Sequence, residues 1–166
     1  MLTYCLFCET AKCGFVAQAA ELLFGCRAIS PKMIQHTWSR GQEVDRMHDL
    51  LPGYVFLYVE GEPLDIQSVR SIHGVIRCLS SEGFGYVLQG NDEQMALMLL
   101  KMDGVIGKTP VYQEGQMIHL TKGAFEGVDA KILRVEHRNR RMQIELMFAS
   151  QPVRTWVEYE IVTERE

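Results

Sequence analysis

Three stretches of this 166-residue chain hold residue types that could do chemistry. In "CLFCETAKC", Cys5-x-x-Cys8 followed by Cys13 has the spacing of a zinc knuckle or a redox pair. In "GKT", Gly107 to Thr109 echoes the end of a phosphate-binding loop. In "RVEHRNRRMQI", residues 134 to 144, four arginines and a histidine fall within eight positions of a chain whose formal net charge is −4. The chemistry of this third stretch is recognition: arginine's planar fork suits phosphate oxygens and the guanine edge, and asparagine can read a base.

Context removes the first two. "TYCLFC" reads as a strand, where residues three apart point to opposite faces, whereas a chelating pair needs a tight turn. No second Cys-x-x-Cys follows, and His36, His48, His73, His119 and His137 show no ligand spacing. Five cysteines, an odd number, with no export signal suggest reduced thiols used as small packing residues. A thiol enzyme or zinc module built on Cys5, Cys8 and Cys13 stands as the alternative from another class. A phosphate-binding loop requires a glycine five positions before Gly107, and Met102 stands there, after a helix rather than a strand. No serine, histidine and acid lie in a nucleophile-activating motif, and no carboxylate pair in a catalytic one, so no catalytic residue, cofactor or metal is expected.

The elements that must position the arginines come in two groups. Thr3 to Cys8 is strand-like, and "GFVAQAAELLFG" has helical period that Gly25 can end. "KMIQHTW" and "LLPGYVFLYVE" read as strands joined through an extended hairpin around Gly41. "PLDIQSVRSI" suits a short helix, "GVIRCLS" and "GFGYVLQ" return to strand character, and Asn91 with Gln94 resembles a capping box opening "NDEQMALMLLKM". This order approaches a split βαβ arrangement plus one helix over residues 1–102. Residues 103–112, rich in glycine and without apolar period, read as a linker. Over 113–166, "QMIHL", "DAKILRV", "RMQIELMF", "PVRTWVEY" and "EIV" are short strand-like runs, as in a small five-stranded barrel with turns at Gly115, Gly123 and Gly127. The expected class is α+β. No apolar run approaches the ~20 residues of a membrane span, and the N-terminus lacks a charged region ahead of its apolar part, so the cytoplasm is the expected location.

This layout, together with "LLPGYVFLYV", "VRSIHGVIR" and "KGAFEGVDAKILRV", resembles the NusG family of transcription elongation factors over nearly the whole chain. The resemblance implies an N-terminal NGN-type domain that binds RNA polymerase and a C-terminal KOW domain with an SH3-like β-barrel. Ala130 stands where the usual KOW pattern has a further glycine, and the first strand begins Thr-Tyr rather than Trp-Tyr; both features look like the specialised RfaH and LoaP paralogues. The implied activity is operon-specific processive antitermination by a monomer, without enzymatic chemistry. A general elongation factor that docks termination factor or ribosome, with Phe148 as an anchor, is the nearer alternative.

By matching motif positions, the resemblance places Tyr4, Leu51, Pro52, Tyr54 and Phe56 on a patch gripping the clamp helices of the polymerase largest subunit. Tyr54 and Phe56 share a parity, so they face one side of their strand. Val55, Leu57 and Val59 face the other, so two apolar faces need two covers: the domain's own helices and a partner, or helices on both. In the second domain, "EHRNRR" lies between two strand-like runs and is expected to form a hairpin loop whose tip presents Arg138, Asn139, Arg140 and Arg141 to a nascent RNA hairpin, with nontemplate DNA as the other possible recruiting strand. Lys122, Lys131, Arg134, His137 and Arg154 could extend the footprint. Against this, Glu126, Glu136 and Glu145 can neutralise the cluster, and residues 111–166 hold eight Lys/Arg and nine Asp/Glu, so local charge must carry recognition.

Overall fold

The computed structural model describes residues 1–80 and 85–163. Its first half is built on β1 (Leu2–Cys8), α1 (Cys13–Phe24), β2 (Arg27–Ile29), β3 (Lys32–Ser39), β4 (Gln42–Asp49), β5 (Tyr54–Val59), α2 (Ile66–Arg70), β6 (Val75–Cys78) and α3 (Gly90–Lys101). Four of these strands form one sheet in the order β2-β5-β1-β6. Both faces of β5 are apolar because both are covered. Val55, Leu57 and Val59 pack with Tyr4, Leu6 and Cys8 of β1 against Val16 and Ala20 of α1 and Val69 of α2. Phe56 and Tyr58 pack with Cys5 under Met95 and Leu99 of α3, and the Tyr58 hydroxyl donates to the Ala96 carbonyl at 2.6 Å. α1 ends where Gly25 adopts φ 63 and its N–H donates to the Glu21 carbonyl.

β3 and β4 leave that sheet as a ribbon, with β7 (Val105–Ile106) added parallel to β3. Their loop is two residues, Arg40 and Gly41, both at positive φ, the backbone whose twist suits a tight hairpin. The second half holds β8 (Thr109–Glu114), β9 (Met117–Leu120), β10 (Ala130–Glu136), β11 (Arg141–Phe148) and β12 (Gln151–Ile161), ordered β10-β11-β12-β8-β9. Met142, Ile144, Leu146 and Phe148 point inward from β11, while Arg141, Gln143, Glu145 and Met147 alternate outward. The architecture is therefore the expected α+β class, an α/β sandwich followed by a small β-barrel.

Several local expectations change. The segment read as a linker contains β7 and most of β8, which pair with β3 and β12; strands that pair with distant partners leave no local period. "PVRTWVEY" and "EIV" form one strand of eleven residues, so β8 supplies the barrel's fifth. Asn91 does not cap α3, whose N-cap is Gln89. Of "GFGYVLQ", residues 83 and 84 lie outside the described residues, and Tyr86 to Leu88 form no strand. Among the described residues, no helix is long and apolar enough to cross a membrane.

The two halves share one core. Phe148 of β11, 1% exposed, stands edge-on to Tyr54 with ring centroids 5.3 Å apart and lies 5.4 Å from Phe56. At the start of α3, the Asn91 amide donates to the Met147 carbonyl and its oxygen accepts the Asp129 N–H at 2.9 Å, while Asp92 accepts the Ala149 N–H at 2.9 Å. Gly127, at φ 79, abuts the same helix so closely that a Cβ would lie 2.6 Å from the Gln94 side-chain oxygen.

Candidate nucleic-acid and partner interfaces

Glu136 lies opposite Arg141 in the β10–β11 register, which makes residues 137–140 the turn. Arg141 therefore belongs to the strand rather than the tip. Its Nη2 donates to Glu136 Oε2 at 3.0 Å, and its guanidinium lies 5.5 Å from the Trp156 ring centroid. The Asn139 amide also donates to Glu136. Hydrogen bonds from Arg141 first, then Asn139, hold the Glu136 carboxyl below its ordinary range. His137, Arg138, Asn139 and Arg140 are all exposed, but only Arg138 and Arg140 project guanidinium groups without an ion pair among the described residues. The Arg140 carbonyl accepts the Tyr159 N–H at 2.9 Å, tying the turn to β12.

The outward face of the same strands is balanced. Glu145 sits between Lys131 of β10 at 3.2 Å and Arg154 of β12 at 3.0 Å, and Arg154 first, then Lys131, lower its pKa. Those two cations are thus partly spent inside the protein. Arg134 is exposed on β10 without an ion pair among the described residues. Lys122 is exposed in the turn after β9, where neighbouring Gly123 lies against α3, so the structure does not bring it to the arginine turn.

The apolar patch is only partly assembled. Leu51, Tyr54 and Phe56 meet in the core that Phe148 completes, with Leu51 and Phe56 buried and Tyr54 half-buried; Pro52 is exposed beside them. Tyr4 lies on the opposite face of the sheet, buried under α1 and α2, with its hydroxyl accepting the Leu64 N–H at 3.1 Å. The second cover on the β5 face is thus α3 together with the chain's own second half.

Sequence reasoning passed over Trp38. It is 76% exposed on β3, and a cleft of about 580 Å³ separates residues 35–38 from the arginine turn. The cleft floor is held by Glu158, which accepts the His36 backbone N–H at 2.5 Å and lies 2.6 Å from His36 Nδ1. A tryptophan three residues before a Gly-centred hairpin turn, in a polar ribbon, was the available signal.

The thiols have no such setting. Cys5 and Cys8 fall in different cores on the two sides of β1. Burial pushes the Cys5 thiol well up and that of Cys8 to about 12, which disfavours the thiolate needed for attack or metal ligation.

Two solved structures resemble this chain. One describing domain interaction in Thermotoga maritima NusG aligns with a TM-score of 0.55 and 17% identity, covering 95% of this chain and 93% of that one. The chain has the fold of that NusG. A structure of the MjSpt4:Spt5 complex, at 14% identity over 96% of this chain and 100% of that one, has a TM-score of 0.30, too low to bear on the architecture. No family model and no curated protein matches the sequence. The NusG likeness therefore speaks for both halves and the order in which they are joined.

Proposed function

We propose that the chain is a NusG-type transcription elongation factor acting as an operon-specific processive antiterminator: the first domain rides on RNA polymerase and the second reads a structured nascent RNA. The observation that carries this reading is the β10–β11 turn, which projects Arg138 and Arg140 unpaired from the barrel of a NusG-like fold. A protruding hairpin tip reaches the splayed bases of an RNA loop or bulge more readily than a flat sheet does. The polymerase-facing residues would be Leu51, Pro52, Tyr54 and Phe56; Tyr4 supports that face from within.

Because Phe148 covers Tyr54 and Phe56, polymerase binding by this face requires the barrel to move off it. Nascent RNA captured by the turn would then hold the factor near the polymerase while the first domain engages. Read-through of a terminator in a reconstituted transcription assay, with and without a matched leader hairpin, tests the reading. Read-through that depends on the hairpin and is lost in the Arg138→Ala/Arg140→Ala variant is expected. Hairpin-independent stimulation would return the chain to the general-factor class, and no effect on elongation would reject both.

A further inference from the structure

We propose that the cleft between Trp38 and the Arg138–Arg140 turn binds single-stranded nucleic acid, with Trp38 stacking a base while Arg138, Arg140 and Lys108 hold the flanking phosphates. This rests on the RNA-reading role given above to the turn and adds a stacking platform from the other domain.

Trp38 presents an indole that folding leaves in water, on a ribbon where its cross-strand neighbour is Glu43. Its neighbours on the chain, Thr37, Ser39 and Arg40, are polar, so it lacks the apolar ring that surrounds a protein hot spot. An exposed aromatic facing unpaired cations across a groove is instead the combination that binds single strands: the π-face takes any base and the cations track the backbone. Across the cleft stand Arg138 and Arg140, and Lys108 lies at one end; all three are exposed without an ion pair among the described residues. At about 580 Å³ the cleft lies within the ~300–1,000 Å³ typical of small-ligand sites.

The acids in the cleft do not cancel these charges. Glu158 is buried and engaged by His36. The other acid lining the cleft, Glu160, is exposed, and the two acids face four cations there, Lys108, Arg138, Arg140 and Arg141.

The two walls come from different domains, so the cleft exists only while the domains are docked. Nucleic acid bound there stabilises the arrangement in which Phe148 covers Tyr54 and Phe56, and thereby opposes polymerase binding by that face. A hairpin held by the arginine turn alone has no such effect.

The test measures anisotropy of short fluorescein-labelled oligouridylate and oligothymidylate with the full chain, between about 50 and 200 mM salt. Trp38 is exposed, so Trp38→Ala should fold, and it is expected to bind about 10-fold more weakly with an unchanged salt slope. Trp38→Phe should recover part of the loss. Arg138→Ala/Arg140→Ala should flatten the salt slope by about 1.4, the value for two phosphates on a single strand. Binding of either oligomer supports the cleft, and their ratio shows whether the ribose hydroxyl is read. Unchanged affinity in Trp38→Ala, or no binding of either oligomer, overturns the shared cleft. The turn's role in RNA hairpin recognition stands or falls separately, by comparing the arginine variant with wild type on a leader hairpin.

Discussion

Arg138 and Arg141 stand three residues apart in one basic cluster but have different jobs. Arg141 bonds Glu136 and lies over Trp156, so Arg141→Ala is expected to cost about 1–2 kcal/mol of stability by thermal denaturation. Arg138→Ala should change stability by less than about 0.5 kcal/mol while weakening RNA binding. Replacing all the turn's arginines together would confuse a folding loss with a binding loss. The composition of the cluster was legible in the sequence; its division was not, because that depends on the register that sets Glu136 opposite Arg141. Glu145 supplies a second prediction at this scale. Its pKa in the fold lies below the ordinary 4.5, so its ion pairs contribute stability that is fully present above that value and lost as pH falls through the lowered one. Thermal melts below about pH 4.5 should therefore decline more steeply for the wild type than for Glu145→Gln.

Among the elements, the β11–β12 connection sets two successive non-glycine residues at positive φ. Phe148 pairs with Gln151, so Ala149 and Ser150 form a two-residue loop, at φ 52 and φ 61, a backbone that L side chains adopt at a cost. The loop is held from outside, since Asp92 accepts the Ala149 N–H and Asn91 binds the Met147 carbonyl. Ser150→Gly is expected to raise stability by about 1 kcal/mol, read as an increase in Tm, by relieving one left-handed residue. This arrangement explains one misreading of the sequence. Asn91 with Gln94 has the spacing of a local cap, yet the Asn91 side chain serves a segment more than fifty positions away. Elements whose signal is local were legible: the parity of Tyr54 and Phe56, the period of α1 and its Gly25 stop. β7 and β8 were not, because two- and six-residue strands take their definition from β3 and β12 rather than from their own pattern. Tyr4 stands apart from Tyr54 and Phe56 for a related reason: pairing with β5 aligns it with Leu57, on the opposite face, and that register is not carried by the local alternation of β1.

For the whole molecule, the docked arrangement ties stability to availability. Asn91→Ala removes both bonds that the side chain makes to the second domain and is expected to weaken docking by about 1–3 kcal/mol. On the proposed function the variant should then bind polymerase more tightly than wild type, by up to the same free energy, in a titration followed by anisotropy of labelled protein. Equal affinity would show that Tyr54 and Phe56 are not the polymerase face. How far the barrel can move follows from the strand that replaced the expected linker. β7 is hydrogen-bonded to the first domain and β8 to the second, leaving Gly107 and Lys108 between them, so that Ile106 and Thr109 can stand at most about 11 Å apart. While both pairings last, undocking is a pivot on a short leash, and the barrel remains a tethered competitor at an effective concentration of about the millimolar range. Dilution would not open such a molecule, and a polymerase must outbid a neighbour that cannot diffuse away.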